Sequence, residues 1–139
     1  MNRAMSKEAL EELRSIPLFV GCNDKELAEI KKLADEIDIK AGEVIFRQGA
    51  FGQDAFVLLS GAVTVSVGGN EVAHLTVGSH FGELAPLDHL PRSATVTAQS
   101  DARLLVFGAR EFSSLLGAHP TVSRKMMSDL AHLAREAQG

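Results

Sequence analysis

Residues 63–75 read VTVSVGGNEVAHL. Val63, Val65 and Val67 alternate with Thr64 and Ser66, the two-residue period of a strand with one face buried. Gly68-Gly69-Asn70 then supplies the positive φ angles of a tight hairpin, so EVAHL is expected to return as the antiparallel partner. The same period runs from Ile37 to about Phe107, with smaller residues in ATVTA, Ala94–Ala98. Gly42, Gly49, Gly52, Gly61 and Gly78 add turn signals roughly every 8–12 residues, which predicts an antiparallel sandwich or barrel.

Helical patterns flank this region. Lys7–Arg14 places Leu10 and Leu13 on one face, and KEALEELR reads as a solvated helix with i,i+4 charge pairs. Pro17 and Gly21 break that helix. Asn23 caps the next, with Glu26 placed to complete a capping box and Cys22 and Leu27 to form a hydrophobic staple. Leu27, Ile30 and Leu33 continue its apolar stripe. After ARLLVF, a short helix is expected at Ala109–Leu116, a break at Gly117–Pro120 and a longer helix at Thr121–Ala137. Val122, Met126, Leu130, Leu133 and Ala137 fall on one side of that last helix. The fold class is therefore α+β, mainly β: an antiparallel β-roll or jelly-roll barrel with N-terminal helices and two C-terminal helices. One domain, 1–139, is expected, with helices over 1–36, the roll over 37–107 and the last helices over 108–139.

A chain of 139 residues has room for one core. Its net charge of −4, with the basic residues dispersed, gives no nucleic-acid surface. No apolar run approaches a membrane span, and the N-terminal stretch has no signal-peptide core. Cys22 is the only cysteine, so no internal disulfide can form and a cytoplasmic location is expected. Beside a helix start its thiol could be activated, but the simpler reading is a structural thiol.

The segment GSHFGELAPLDHLPRSATV, residues 78–96, carries the chemistry. Gly82-Glu83-Leu84-Ala85 follows a strand and opens a short helix, whose free N–H groups suit a phosphate. Gly82 lets backbone approach a ligand closely. Arg92 offers a planar fork for two phosphate oxygens. Glu83 would repel that phosphate unless it accepts a hydrogen bond from a neutral group such as a hydroxyl. A nucleoside cyclic monophosphate, with one negative charge and a free 2′-hydroxyl, satisfies both ends. The competing reading is an ordinary surface ion pair between Glu83 and Arg92.

FGELAPLDHLPRSATV resembles the phosphate-binding cassette of cyclic nucleotide-binding domains, F-G-E-(L/I)-(A/S)-L, a short gap, then R-(S/T/A)-A. GEVIFRQG (42–49), GQDAFVLLSGAVTV (52–65) and IPLFVGCNDKELAEI are similar to other parts of the family, and the last two helices to its hinge and lid. The resemblance implies that Arg92 pairs with the cyclic phosphate and that Glu83 accepts the ribose 2′-hydroxyl. Backbone at Gly82, Leu84, Ala85, Ser93 and Ala94 would complete the cradle, with Val65 and Phe81 as walls for the base. Leu133, Arg135 or Gln138 on the last helix would cap the base, and that helix would move as a lid. Three departures stand out. Pro86 replaces an aliphatic residue of the cassette helix and removes one N–H donor. Ser93 matches the Arg-Ser-Ala of bacterial catabolite activators and leans toward cAMP, with cGMP possible. No Tyr or Trp is present to stack on the base.

These readings describe a stand-alone cyclic nucleotide sensor for signal transduction, bacterial-looking and not an enzyme. No cofactor or metal is expected besides the ligand. The partner would be an unidentified effector protein or a second copy of the chain, with neither nucleic acid nor membrane engaged. The alternative is a degenerate cyclic nucleotide-binding fold that serves as a ligand-independent interaction or dimerisation module, using Met126, Met127 and the leucines of the last helix. A metal-binding barrel built on the five histidines is disfavoured because no H-x-H pair occurs. Ser79 and His80 form no catalytic dyad, since neighbours on a strand point to opposite faces.

Overall fold

The structure, a computed structural model, describes residues 7–138, with side-chain surroundings given for 9–136. The side chains of Ala137 and Gln138 therefore lie outside the described residues. Chain order is α1 (Lys7–Arg14), a 3-10 turn (Pro17–Phe19), α2 (Asp24–Leu33), β1 (Asp35–Ile39), β2 (Val44–Phe46), β3 (Ala55–Ser60), β4 (Val63–Val67) and β5 (Asn70–Leu75). There follow β6 (His80–Phe81), α3 (Leu84–Asp88), β7 (Thr95–Ala98), β8 (Ala102–Phe107), α4 (Ala109–Ala118) and α5 (Pro120–Gln138). The strands form two four-stranded antiparallel sheets, ordered β1-β8-β3-β6 and β2-β7-β4-β5.

The β4–β5 hairpin closes as expected. Val67 pairs with Asn70, and Gly68 and Gly69 between them have φ of 59° and 84°. Both central residues of such a two-residue turn need positive φ, which glycine adopts without steric cost. A bulge then leaves Val72 unpaired, because Val65 pairs with Ala73 and Ser66 with Glu71.

The central strands of the first sheet, β3 and β8, are buried on both faces. Ala55, Val57, Leu59, Leu105 and Phe107 join the helix-side core with Leu27, Phe112, Val122 and Met126. Phe56, Leu58 and Leu104 pack with Val63, Val96 and Phe81 between the two sheets. This explains why AFVLL in β3 is continuously apolar: each face of the strand needs its own apolar set.

At α2, Asn23 accepts from the Glu26 N–H at 2.8 Å and Glu26 accepts from the Asn23 N–H at 3.0 Å, a complete capping box. Cys22 and Leu27 share the helix-side core, as the staple requires. Burial, reinforced by the Glu26 charge, pushes the Cys22 thiol pKa up, so it is a structural thiol and a poor nucleophile.

Three details depart from expectation. β1 begins at Asp35, two residues before Ile37, because pairing with β8 (Asp35 with Val106) extends the strand through polar positions that carry no alternation. The break between the last helices shrinks to His119, since Pro120 opens α5. A first helical position has no N–H bond for proline to lose. The charges of α1 also reach beyond the helix: Glu12 pairs with Arg103 of β8 at 2.8 Å and Arg14 with Asp24 of α2 at 2.6 Å. Along α5, Val122 and Met126 are buried and Leu130 is partly so, while Met127 and Leu133 are exposed.

Candidate functional site

Arg92 is anchored through its backbone. Its N–H donates to the Ala50 carbonyl at 2.8 Å and its carbonyl accepts from the Gly49 N–H at 2.8 Å. The side chain then runs inward until the residue is only 5% exposed. Nη1 donates to the Gly82 carbonyl at 2.8 Å and Nη2 to the Asp54 carbonyl at 3.0 Å. The guanidinium lies over the Phe46 ring at 4.2 Å. Two glycines make room for it. A Cβ on Gly52 would stand 3.3 Å from Nη2, and one on Gly82 would stand 3.1 Å from Nη1. Gly82 also has φ of 76°, so the position rejects a side chain twice over.

No ion pair neutralises this guanidinium among the described residues. Its two hydrogen-bond partners are carbonyl oxygens, and the Asp54 carboxylate acts on it only through space. Burial lowers the Arg92 pKa and Asp54 opposes that shift, yet an arginine stays charged at any physiological pH. Its Nε is buried with no partner. The ion-pair reading of Arg92 with Glu83 is therefore excluded by the geometry.

Glu83 is the second buried charge, at 6% exposure. One oxygen, Oε1, lies 3.2 Å from His80 Nδ1, and the other, Oε2, is buried with no hydrogen-bond partner. His80 Nε2 in turn lies 2.8 Å from Asp129 Oδ2 on α5. Burial works against the charged ring, but hydrogen bonds and charges from Glu83 and then Asp129 outweigh it, and the His80 pKa is raised. The short α3 that follows Glu83 ends at His89, in the left-handed conformation and 3.0 Å from Gln53 Nε2. Pro86 sits in the first turn of α3, where an N–H has no intrahelical acceptor, so the helix tolerates it.

Arg92 and Glu83 open onto one cavity of about 450 Å³, within the range of small-molecule sites. All seven residues expected at the cradle line it: Gly82, Glu83, Leu84, Ala85, Arg92, Ser93 and Ala94. So do Val65, Phe81 and Leu133. Arg135 is exposed on α5 and is not among the residues lining the cavity. Gln138 falls outside the described side chains.

Sequence reasoning missed Phe46, Ala73, Leu75, His80 and Val96 on the roll, and Leu130 and Ala134 on α5. Phe46, Phe56 and Phe81 form a cluster with ring centres 5.2–6.2 Å apart, the aromatic bed for Arg92. Their positions within apolar strand segments were visible, but their convergence depends on which strands pair. His80 and Asp129 are 49 residues apart and share no local pattern.

The family model for the cyclic nucleotide-binding domain matches residues 36–119. A cAMP-dependent protein kinase regulatory subunit of Emericella nidulans is 33% identical over 129 residues, covering 90% of this chain and 31% of that protein. A cyclic nucleotide-gated potassium channel of Rhizobium etli is 35% identical over 109 residues, covering 78% of this chain and 30% of the channel. The crystal structure of Thermus thermophilus catabolite activator protein superposes with a TM-score of 0.79 at 32% identity, over 88% of this chain and 60% of that one. This chain spans less than a third of the length of either curated relative. With 84 consecutive positions, 36–119, matching one family model on a fold shared with such a structure, the chain belongs to the cyclic nucleotide-binding domain family.

Proposed function

We propose that this chain, as one cyclic nucleotide-binding domain, binds a nucleoside cyclic monophosphate in the Arg92–Glu83 cavity, cAMP ahead of cGMP, and acts as a sensor. One observation carries the reading: a buried guanidinium without a carboxylate partner and a buried carboxylate oxygen without a donor face the same cavity. Buried charges left this way are costly unless a ligand completes them. A cyclic phosphate supplies the anion for Arg92, and a ribose hydroxyl supplies the donor for Glu83 Oε2.

In this reading Arg92 holds the phosphate, with backbone at Gly82, Leu84, Ala85, Ser93 and Ala94 around it, and Val65 and Phe81 flank the base. Leu133 covers the base from α5. Ligand contact with Leu130, Leu133 and Ala134 would favour one position of α5 and so pass occupancy to an effector protein or a second copy of the chain. A cytoplasmic location fits the lone buried thiol. A second reading, a ligand-independent interaction module, is favoured by the exposed Met127 and Leu133 on α5.

The test is calorimetric titration of nucleotide-stripped protein with cAMP and with cGMP, alongside Arg92→Ala. Saturable cAMP binding that is lost in Arg92→Ala supports the sensor reading. Absence of binding by either nucleotide moves the function to protein contacts.

A further inference from the structure

His80 has two acidic neighbours, one at each ring nitrogen. Nδ1 lies 3.2 Å from Glu83 Oε1 and Nε2 lies 2.8 Å from Asp129 Oδ2. Ionised carboxylates only accept hydrogen bonds, and a neutral imidazole carries one N–H and one lone pair. Both contacts can be hydrogen bonds together only when the ring carries two protons. With both carboxylates ionised, the bridge is thus specific to imidazolium.

The other groups around the ring agree. Lys125 donates to the second oxygen of Asp129 at 2.9 Å, which keeps that carboxylate ionised. β3, whose Val57 pairs with His80, brings no charged side chain. The charged groups facing the ring are therefore Glu83 from the turn into α3 and Asp129 from α5, with Lys125 behind Asp129. Their combined effect is a raised His80 pKa, in accord with the doubly protonated bridge.

From this arrangement we infer that His80 is a positioning residue that makes nucleotide binding proton-linked. As imidazolium it orients Glu83 for the ligand and latches α5 over the cavity through Asp129. The inference rests on the proposed cyclic nucleotide site. When the proton leaves, one carboxylate loses its donor. Asp129 is the one released, because its side chain is 30% exposed against 8% for Glu83 and it retains Lys125. α5 then loses its only described polar tie to β6, and with it the seating of Leu130, Leu133 and Ala134 on the cavity wall. Nucleotide therefore binds the latched form more tightly, and binding takes up a proton.

The experiment is a calorimetric cAMP titration of wild type, His80→Gln and Asp129→Asn between about pH 5 and pH 8, with the His80 ring followed by NMR in the ligand-free proteins. For wild type, affinity is expected to fall as pH rises through the His80 pKa, by up to about tenfold per pH unit for one linked proton. The dependence should flatten in His80→Gln. In Asp129→Asn the ring midpoint should move down and amide exchange of α5 should quicken. A shared pH profile for wild type and His80→Gln overturns the inference, as does a ligand-free ring midpoint at or below about 6.5. If wild type binds neither cAMP nor cGMP at any pH, the proposed site fails and so does proton-linked binding. The ring midpoint and α5 exchange still report separately on the latch.

Discussion

The Arg92 guanidinium carbon stands 4.2 Å from the centre of the Phe46 ring, and the Nη1 of the same group bonds to the Gly82 carbonyl at 2.8 Å. These contacts hold the fork in one orientation. Truncation by Arg92→Ala is expected to cost about 2–5 kcal/mol of nucleotide affinity, because a buried phosphate would lose its countercharge. Arg92→Lys should recover little, since an ammonium cannot bridge the Gly82 and Asp54 carbonyls in the same plane. Phe46→Leu removes only the ring face and should cost about 0.5–2 kcal/mol. Calorimetry of the three variants gives the order, and equal losses for Phe46→Leu and Arg92→Ala would contradict it.

Gly82→Ala is expected to damage both fold and site. The new Cβ would sit 3.0 Å from the Phe56 ring and 3.1 Å from Arg92 Nη1, at a backbone φ of 76°. Strain of this kind costs on the order of 1–3 kcal/mol. Urea unfolding should show the loss, and nucleotide affinity should fall with it because Arg92 must shift.

Leu133 and Arg135 separate two views of the base cap. Leu133 lines the cavity and is 55% exposed. Leu133→Ala should therefore weaken nucleotide binding by about 1–2 kcal/mol while leaving stability within about 0.5 kcal/mol. Arg135→Ala should leave affinity unchanged. The opposite ranking in a titration would put the cap on Arg135.

The His80–Asp129 pair should contribute most to stability between its two titrations. The His80 pKa is raised above its ordinary 6.5, so its contribution is fully present below that value and is lost as pH rises through the folded-state pKa. Asp129 behaves in reverse. Burial resists its charge, but Lys125 and His80 hold its pKa below the ordinary 3.8. Its contribution is present above that value and is lost as pH falls through the folded-state pKa. Urea midpoints taken from acid to mildly alkaline pH should show the decline above the His80 pKa in wild type and lose it in His80→Gln.

Much of this architecture was legible because the cues are local. The Gly68-Gly69 turn, the Asn23 and Glu26 capping box and the Phe81-Gly82-Glu83 to Arg92 segment each announce themselves within a few residues. What escaped depends on contacts between distant strands and helices. Phe46, Phe56 and Phe81 meet only because β2 and β3 lie in facing sheets. The His80 to Asp129 tie joins the roll to α5, and neither residue's neighbours in sequence indicate the other. On α5 the sequence offered Leu133 and Arg135 alike, and only the phase of the helix against the roll places Leu133 on the cavity lining.

The first sheet is a wall held in common by two interiors, with Val57 turned to one and Leu58 to the other. Neither interior can be disturbed in isolation, because each supplies the backing that keeps those strands in place for its neighbour. Leu58→Ala, expected to cost about 2–5 kcal/mol, should lower the unfolding midpoint of the helices as much as that of the roll. Helical circular dichroism and phenylalanine fluorescence should then lose their signals in one shared transition. In the proposed reading, a nucleotide on the roll would reach the helices through this shared wall as well as through the inferred latch at His80.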